Sequence, residues 1–239
     1  MSAALTLAHV TAGYGPLTIL DDLSLELRSD EVLLVLGANG SGKSTVLKTI
    51  MGLTRRTAGS VAIAGTDITG WPAHRRAGAG IGYVPQTGNV FSDLTVTENL
   101  RMGAWLRPEG PEPMLPRIFE LFPRLAERLE AKAGALSGGE RRMLSIALTL
   151  AASPTVLLLD EPSSDLAPVM IDQVFSAIAA IRAAGIPVLL VEQNVARGLG
   201  LATRVLVMVR GRIAAEMAAD AVRDDDLHAL FLHGTHAPA

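Results

Sequence analysis

Gly37-Ala38-Asn39-Gly40-Ser41-Gly42-Lys43-Ser44-Thr45 follows directly on the apolar run Val32-Leu33-Leu34-Val35-Leu36, and Val46, Leu47, Ile50 and Met51 come after it at helical spacing. The stretch satisfies the pattern G-x-x-x-x-G-K-[ST] in full. Its three glycines let the backbone turn tightly enough to aim successive N–H groups at one anion, and a helix beginning near Lys43 adds the positive end of its dipole. Lys43 brings a point charge to the β- and γ-phosphates of a nucleotide, and Ser44 brings a hydroxyl ligand for Mg²⁺. A turn without a ligand would explain the glycines alone. The buried-type strand before them and the apolar helix after them make nucleotide binding the stronger reading.

Composition narrows the rest. The chain has 239 residues and is 49% hydrophobic, enough for one large α/β domain or a domain with an inserted lobe. A net charge of −3 and 4% aromatic residues offer nucleic acid neither an attractive field nor stacking platforms, so no nucleic-acid partner is expected. With no cysteine there are neither disulfides nor thiolate metal sites. No apolar run reaches bilayer length, and Met1 to Val10 lack the basic start of a secretion signal, so any membrane attachment is expected to come through a partner.

Leu5 to Val10 and Leu17 to Leu27 alternate around Gly13-Tyr14-Gly15-Pro16 and read as antiparallel β, with Tyr14 as an exposed ring. Gly59 to Ala64 and Gly80 to Val84 read as strands flanking a polar segment with Trp71, Arg75 and Arg76, and Gln86 follows the second strand after Pro85. From residue 88 to 152 the pattern turns helical. Thr95-Val96-Thr97-Glu98 is a capping box opening a helix to Leu106, and Pro116 to Leu129 carries Ile118, Leu121, Phe122, Leu125 and Leu129 on one side of a second helix. Residues 1–87 and 153–239 are thus expected to form an α/β core with an antiparallel β subdomain, and 88–152 an inserted helical lobe.

Leu136-Ser137-Gly138-Gly139-Glu140 reads as another capping box, before a helix apolar on one face through Met143, Leu144, Ala147, Leu148 and Ala151. The same serine, glycines and free N–H groups could equally form a second phosphate site. One chain needs one γ-phosphate site, so a second suggests two chains around each nucleotide. Val156-Leu157-Leu158-Leu159 ends in Asp160-Glu161-Pro162, and a strand of this kind belongs inside a parallel sheet whose carboxyl ends line the ligand crevice. There Asp160 would hold Mg²⁺ through water, and Glu161 would orient or deprotonate the attacking water. Pro168 and Gly185 bound a helix with Ile171, Val174, Ile178 and Ile181 on its stripe. Ile186 to Val191 is a core strand delivering Glu192-Gln193-Asn194 to the same crevice, and Val205 to Ile213 suggest a closing hairpin. His228, His233 and His236 read as part of a frayed tail and only loosely as a metal cluster.

With these motifs assembled, the chain resembles the nucleotide-binding subunit of an ABC transporter, a P-loop NTPase core with an antiparallel β subdomain and a helical lobe. Leu136 to Glu140 is the diagnostic piece. The resemblance implies ATP and Mg²⁺ as ligands, Tyr14 stacked on adenine, Gln86 touching Mg²⁺ and a transmembrane partner, and Glu161 as catalytic base. It also implies that two subunits close head to tail, each P-loop facing the other chain's Ser137 and Gly139. Asp67-Ile68-Thr69, Glu120-Leu121-Phe122-Pro123-Arg124, Asp160-Glu161-Pro162-Ser163, Leu166-Ala167-Pro168 and Val191-Glu192-Gln193-Asn194 are similar to the second ATPase subunit of bacterial branched-chain amino-acid importers. Such a subunit pairs with a different ATPase chain, two membrane permeases and an extracytoplasmic binding protein, on the inner face of the cell membrane. A related urea importer fits as well.

Four departures from the general family pattern stand out. Gln193 takes the place of a switch histidine; it can hydrogen-bond a γ-phosphate or water but takes up no charge near neutral pH. Ala167 replaces an aspartate, Arg141 and Arg142 replace glutamine-type residues, and Leu148 replaces an arginine. They keep open a nucleotide-gated regulatory module with little turnover. A DNA-repair ATPase would need long coiled-coil insertions, which the sequence lacks.

Overall fold

The computed structural model describes residues 3–223, so His228, His233 and His236 lie outside the described residues. In chain order the elements are β1 (Ala3–Tyr14), β2 (Leu17–Arg28), β3 (Val32–Gly37), α1 (Lys43–Ile50), β4 (Arg55–Ile63), β5 (Thr66–Asp67), α2 (Ala73–Gly78) and β6 (Ile81–Val84). Then follow α3 (Val96–Gly103), α4 (Leu115–Leu121), α5 (Pro123–Ala126), α6 (Gly138–Ala151), β7 (Val156–Asp160), α7 (Pro168–Ala183), β8 (Val188–Val191), α8 (Val195–Leu201), β9 (Arg204–Val209) and β10 (Arg212–Ala218).

Two sheets result. An antiparallel sheet has the order β2-β1-β4-β5, and a six-stranded sheet has the order β10-β9-β3-β8-β7-β6. In the latter β3, β6, β7, β8 and β9 run parallel, and β10 closes the edge as an antiparallel hairpin with β9. This is an α/β P-loop NTPase architecture. Its parallel strands are unbroken apolar runs because both their faces are buried. Val32, Leu34 and Leu36 join one core with α6 and α7, while Leu33 and Val35 join the other with α1 and the antiparallel sheet. The loop after β3 therefore springs from a strand held on both faces, while its own Ala38, Asn39 and Gly40 stay exposed.

Several elements differ from expectation for identifiable reasons. The predicted helix from Pro116 to Leu129 breaks in two at Phe122 (φ −133°, ψ 68°), because a residue before proline disfavours the helical region and Pro123 starts a new turn. Phe122 instead turns inward and is among the largest fully buried side chains. The helix from the Thr95 capping box ends at Gly103, short of Leu106. The segment around Arg75 and Arg76 forms α2, and Arg76 is 4% exposed. Its guanidinium donates to the carbonyls of Thr49 and Ile50 at the end of α1, and of Thr69 and Trp71. Helix α6 is buried on nearly every side, where one apolar face was expected, because it lies between the sheet and the α3–α5 helices.

Gly211, in the turn between β9 and β10, ties the far end of the chain to the centre. Its N–H donates to the Ser41 carbonyl at 2.9 Å and its carbonyl accepts from the Asp21 N–H at 3.1 Å. A Cβ here would lie 1.8 Å from the Ile19 carbonyl oxygen, so only glycine permits the approach.

Candidate active site

The loop from Gly37 to Gly42 passes from a strand into a helix with no side-chain cap. Gly42 occupies the N-cap with φ 105°, leaving the first N–H groups of α1 without side-chain acceptors. Within this cradle the Ser41 Oγ is buried and has no hydrogen-bond partner among the described residues. A buried hydroxyl without a partner, beside free N–H groups and a lysine, fits a phosphate group. Lys43 Nζ folds back onto the carbonyls of Gly37 (2.9 Å) and Ala38 (3.2 Å). Burial pushes its pKa down, against the upward pull of Glu161 and Asp160.

Strand β7 delivers the carboxylates. Asp160 is 3% exposed and accepts from Ser44 Oγ at 2.8 Å through Oδ1 and from Tyr83 OH at 3.3 Å through Oδ2. Burial raises the Asp160 pKa above the ordinary carboxylate value, with the Ser44 hydrogen bond opposing it. Burial, reinforced by Asp160, likewise pushes Tyr83 up. A hydroxyl and a carboxylate oxygen in contact, with phosphate oxygens and water to complete the shell, are donors suited to Mg²⁺.

Glu161 adopts φ 47°, a left-handed backbone that is costly for a residue with a side chain. Its Oε2 accepts from Gln193 Nε2 at 2.7 Å, Gln86 Nε2 at 3.0 Å and Ser164 Oγ at 3.3 Å. All the carboxylate's hydrogen bonds among the described residues fall on that one oxygen, which leaves Oε1 its lone pairs. A cleft of about 320 Å³ brings Asn39, Gly40, Gly42, Lys43, Ser44, Thr45, Gln86, Glu161 and Gln193 together with Ile19.

Other predicted residues sit elsewhere. Tyr14 ends β1 with 42% exposure, outside this lining. Ser137 and Glu140 form the expected capping box: Ser137 N donates to Glu140 Oε2 (2.8 Å) and Glu140 N to Ser137 Oγ (3.3 Å), which holds Glu140 below the usual carboxylate range. Ser137 and Gly138 are exposed, whereas Gly139 and Glu140 are buried. Gly138 lines a separate groove of about 370 Å³, and Gln86 lines both that groove and the cleft.

Sequence reasoning assigned no role to four supporting residues. Glu192, 1% exposed, accepts from Ser163 N, Ser163 Oγ, Gln193 N and Asn194 N and so fixes the loop that carries Gln193. Tyr83 and Ser164 hold the two carboxylates. Arg142, noted only as a departure, is buried against the backbone of Pro85, Gln86 and Glu161. A charged residue directly after an unbroken apolar strand was the available signal for Glu192; the others depend on contacts distant in sequence. Of the remaining departures, Arg141 donates to the Leu136 carbonyl, and Leu148 is buried where α6 meets Gly103 of α3.

The family model described as ABC transporter matches residues 20–164. The high-affinity branched-chain amino acid transport ATP-binding protein BraG of Pseudomonas aeruginosa is 42% identical over 87% of this chain and 90% of its own length. The probable branched-chain amino acid transport ATP-binding protein LivF of Archaeoglobus fulgidus is also 42% identical, over 86% and 88%. The lipopolysaccharide export system ATP-binding protein LptB of Haemophilus influenzae is 35% identical over 93% of each. Among solved structures, the ADP conformation of MJ1267, an ATP-binding cassette of an ABC transporter, superposes with a TM-score of 0.81 at 27% identity, covering 98% of this chain and 96% of that one.

Proposed function

This chain belongs to the ABC transporter family as an ATP-binding subunit and ATPase, and from that premise we propose that it powers an importer of branched-chain amino acids. The observation that carries the hydrolytic part is the cluster on Glu161: three donors on Oε2, beside a phosphate cradle and the Ser44–Asp160 pair. The substrate class rests on the 42% identical relatives and on the motifs shared with branched-chain amino-acid importers.

In this reading residues 1–239 form one ABC ATPase unit with an inserted lobe at 88–152. The N–H groups of residues 38–45 and the Lys43 ammonium bind the triphosphate, and Tyr14 stacks on adenine. Mg²⁺, held by Ser44, Asp160 and Gln86, would supply neutralisation of charge on the phosphate oxygens. Glu161 takes a proton from the attacking water through Oε1 while Gln86 and Gln193 hold Oε2 still. The exposed Ser137 and the glycines after it meet the nucleotide on a second ATPase chain. Closure of the pair pulls permease helices docked near Gln86 and the lobe, on the inner face of the membrane, and hydrolysis resets them.

The test is to purify the chain with its native permeases, reconstitute vesicles with the cognate binding protein and follow radiolabelled leucine. ATP-dependent leucine uptake that disappears with Glu161→Gln is the expected result. ATP hydrolysis stimulated by urea and indifferent to leucine would move the assignment to a urea importer. A lipid export partner in the purified complex would move it toward the LptB-like relatives instead.

A further inference from the structure

Arg142 stands on the second turn of α6, 9% exposed. Among the described residues no carboxylate pairs with it. Its Nη1 donates to the Pro85 carbonyl at 3.0 Å, and its Nη2 donates to the carbonyls of Gln86 at 2.8 Å and Glu161 at 3.3 Å. Burial lowers its pKa, while Glu192, Asp160 and Asp165 favour the charged form. A guanidinium taken out of water without a carboxylate partner is poorly compensated by charge. What it supplies is a rigid fork, fixed here on three backbone oxygens.

Those oxygens belong to residues already joined on another side. Gln86 Nε2 donates to Glu161 Oε2 at 3.0 Å, so one Arg142 nitrogen bridges the backbones of two residues whose side chains also touch. The result is a closed ring through Gln86, Arg142 and Glu161. It also helps to hold the left-handed backbone of Glu161, whose N–H donates to Val191 O (2.9 Å) and whose carbonyl accepts from Ser164 N (3.2 Å). The other end of the lever is exposed: Ser137 and Gly138 begin α6 about one turn before Arg142. A helix is stiff over that distance, so a displacement of its start reaches the ring directly.

We propose that Arg142 is a positioning residue for ATP hydrolysis, locking the Gln86 and Glu161 backbones together and transmitting the position of the Ser137 end of α6 to the Glu161 carboxylate. The proposal rests on the reading of Glu161 as the general base.

The test uses the full chain in its transporter complex, with Glu161→Gln as reference. Arg142→Met is expected to lower kcat by about 10- to 100-fold, the range for residues that orient reacting groups, with the KM for ATP within about twofold. Arg142→Lys keeps the charge without the fork and should fall between Met and the native residue. Millimolar guanidinium ion should restore part of the turnover of Arg142→Ala and none of Glu161→Gln. An unchanged kcat in Arg142→Met overturns the proposal. So does a loss in which Lys is as poor as Met, guanidinium rescues nothing and KM rises with the fall in kcat. Should Arg142→Ala not fold, the Lys–Met contrast in kcat and KM decides alone. Full turnover in Glu161→Gln would overturn the reading of the base itself and the proposal with it, a result distinct from failure at Arg142.

Discussion

Ser44 Oγ donates to Asp160 Oδ1 at 2.8 Å, although 116 residues separate the two in the chain. The contact joins the start of α1 to the carboxyl end of β7. It exists because β3 and β7 both pair with β8, so the P-loop and the acidic pair emerge at the same end of one sheet.

That placement costs stability. Burial raises the Asp160 pKa, so the ionised group opposes folding at neutral pH. Below the unfolded carboxyl's value both states carry the proton and nothing is lost. As pH rises from there through the raised native value, the unfolded chain ionises first and stability falls. Asp160→Asn removes the charge and keeps an acceptor for Ser44. The melting temperature of the nucleotide-free protein at neutral pH should rise by about 2–4 °C, while Mg-ATP turnover drops by roughly 100-fold. The thermal gain should shrink as pH falls toward about 4, near the unfolded carboxyl's value. A scan showing no gain at neutral pH would mean that the buried charge is fully compensated.

Gln193 brings a neutral amide to Glu161 Oε2. Gln193→His would set an imidazole against a carboxylate, which holds the ring protonated to a pH above its ordinary value of about 6.5. While protonated, the ring reduces the basicity of Glu161, so turnover should be low on the acid side and recover as pH rises. Phosphate release by the variant is expected to show this added inflection in the near-neutral range, and the native protein is not. Superimposable profiles would argue that residue 193 does not govern the base.

Tyr14 offers an exposed ring and no polar contact that the proposed role needs. Tyr14→Ala should weaken equilibrium ATP binding by about 10- to 100-fold, the range for base–aromatic stacking, and Tyr14→Phe should leave it within about twofold. Equal losses in both variants would point to the hydroxyl instead of the ring.

Arg76 donates to four carbonyls, two of them at the carboxyl end of α1. Arg76→Met should lower stability by about 2–4 kcal/mol in urea unfolding, since buried acceptors lose charged donors. A change under about 0.5 kcal/mol, typical of surface positions, would show that water replaces the guanidinium without penalty.

The sequence made much of this legible because its strongest signals are local. The apolar runs of β3, β7 and β8, the P-loop and two capping boxes each announce themselves within a few residues, and all appear in the structure. The break at Phe122 was readable too, since Pro123 stood beside it, but the helical spacing of Ile118, Phe122 and Leu125 spoke louder. What could not be read was which carbonyls a buried guanidinium would find. Arg76 and Arg142 look like surface charges in one dimension and prove to be internal fasteners, because their partners are backbone carbonyls with no side-chain signature, several of them more than 20 residues away, at the end of α1 for Arg76 and just after β6 for Arg142.

Strand β3 lies between β8 and β9, and the Ser41 carbonyl receives the Gly211 N–H. During synthesis, then, the loop that names the motif leaves the ribosome long before the strands that brace it. A nascent chain that ends before β8 carries every glycine of the cradle and lacks both strands that flank β3. The cradle therefore takes its final shape only after β8, β9 and the turn at Gly211 have been made.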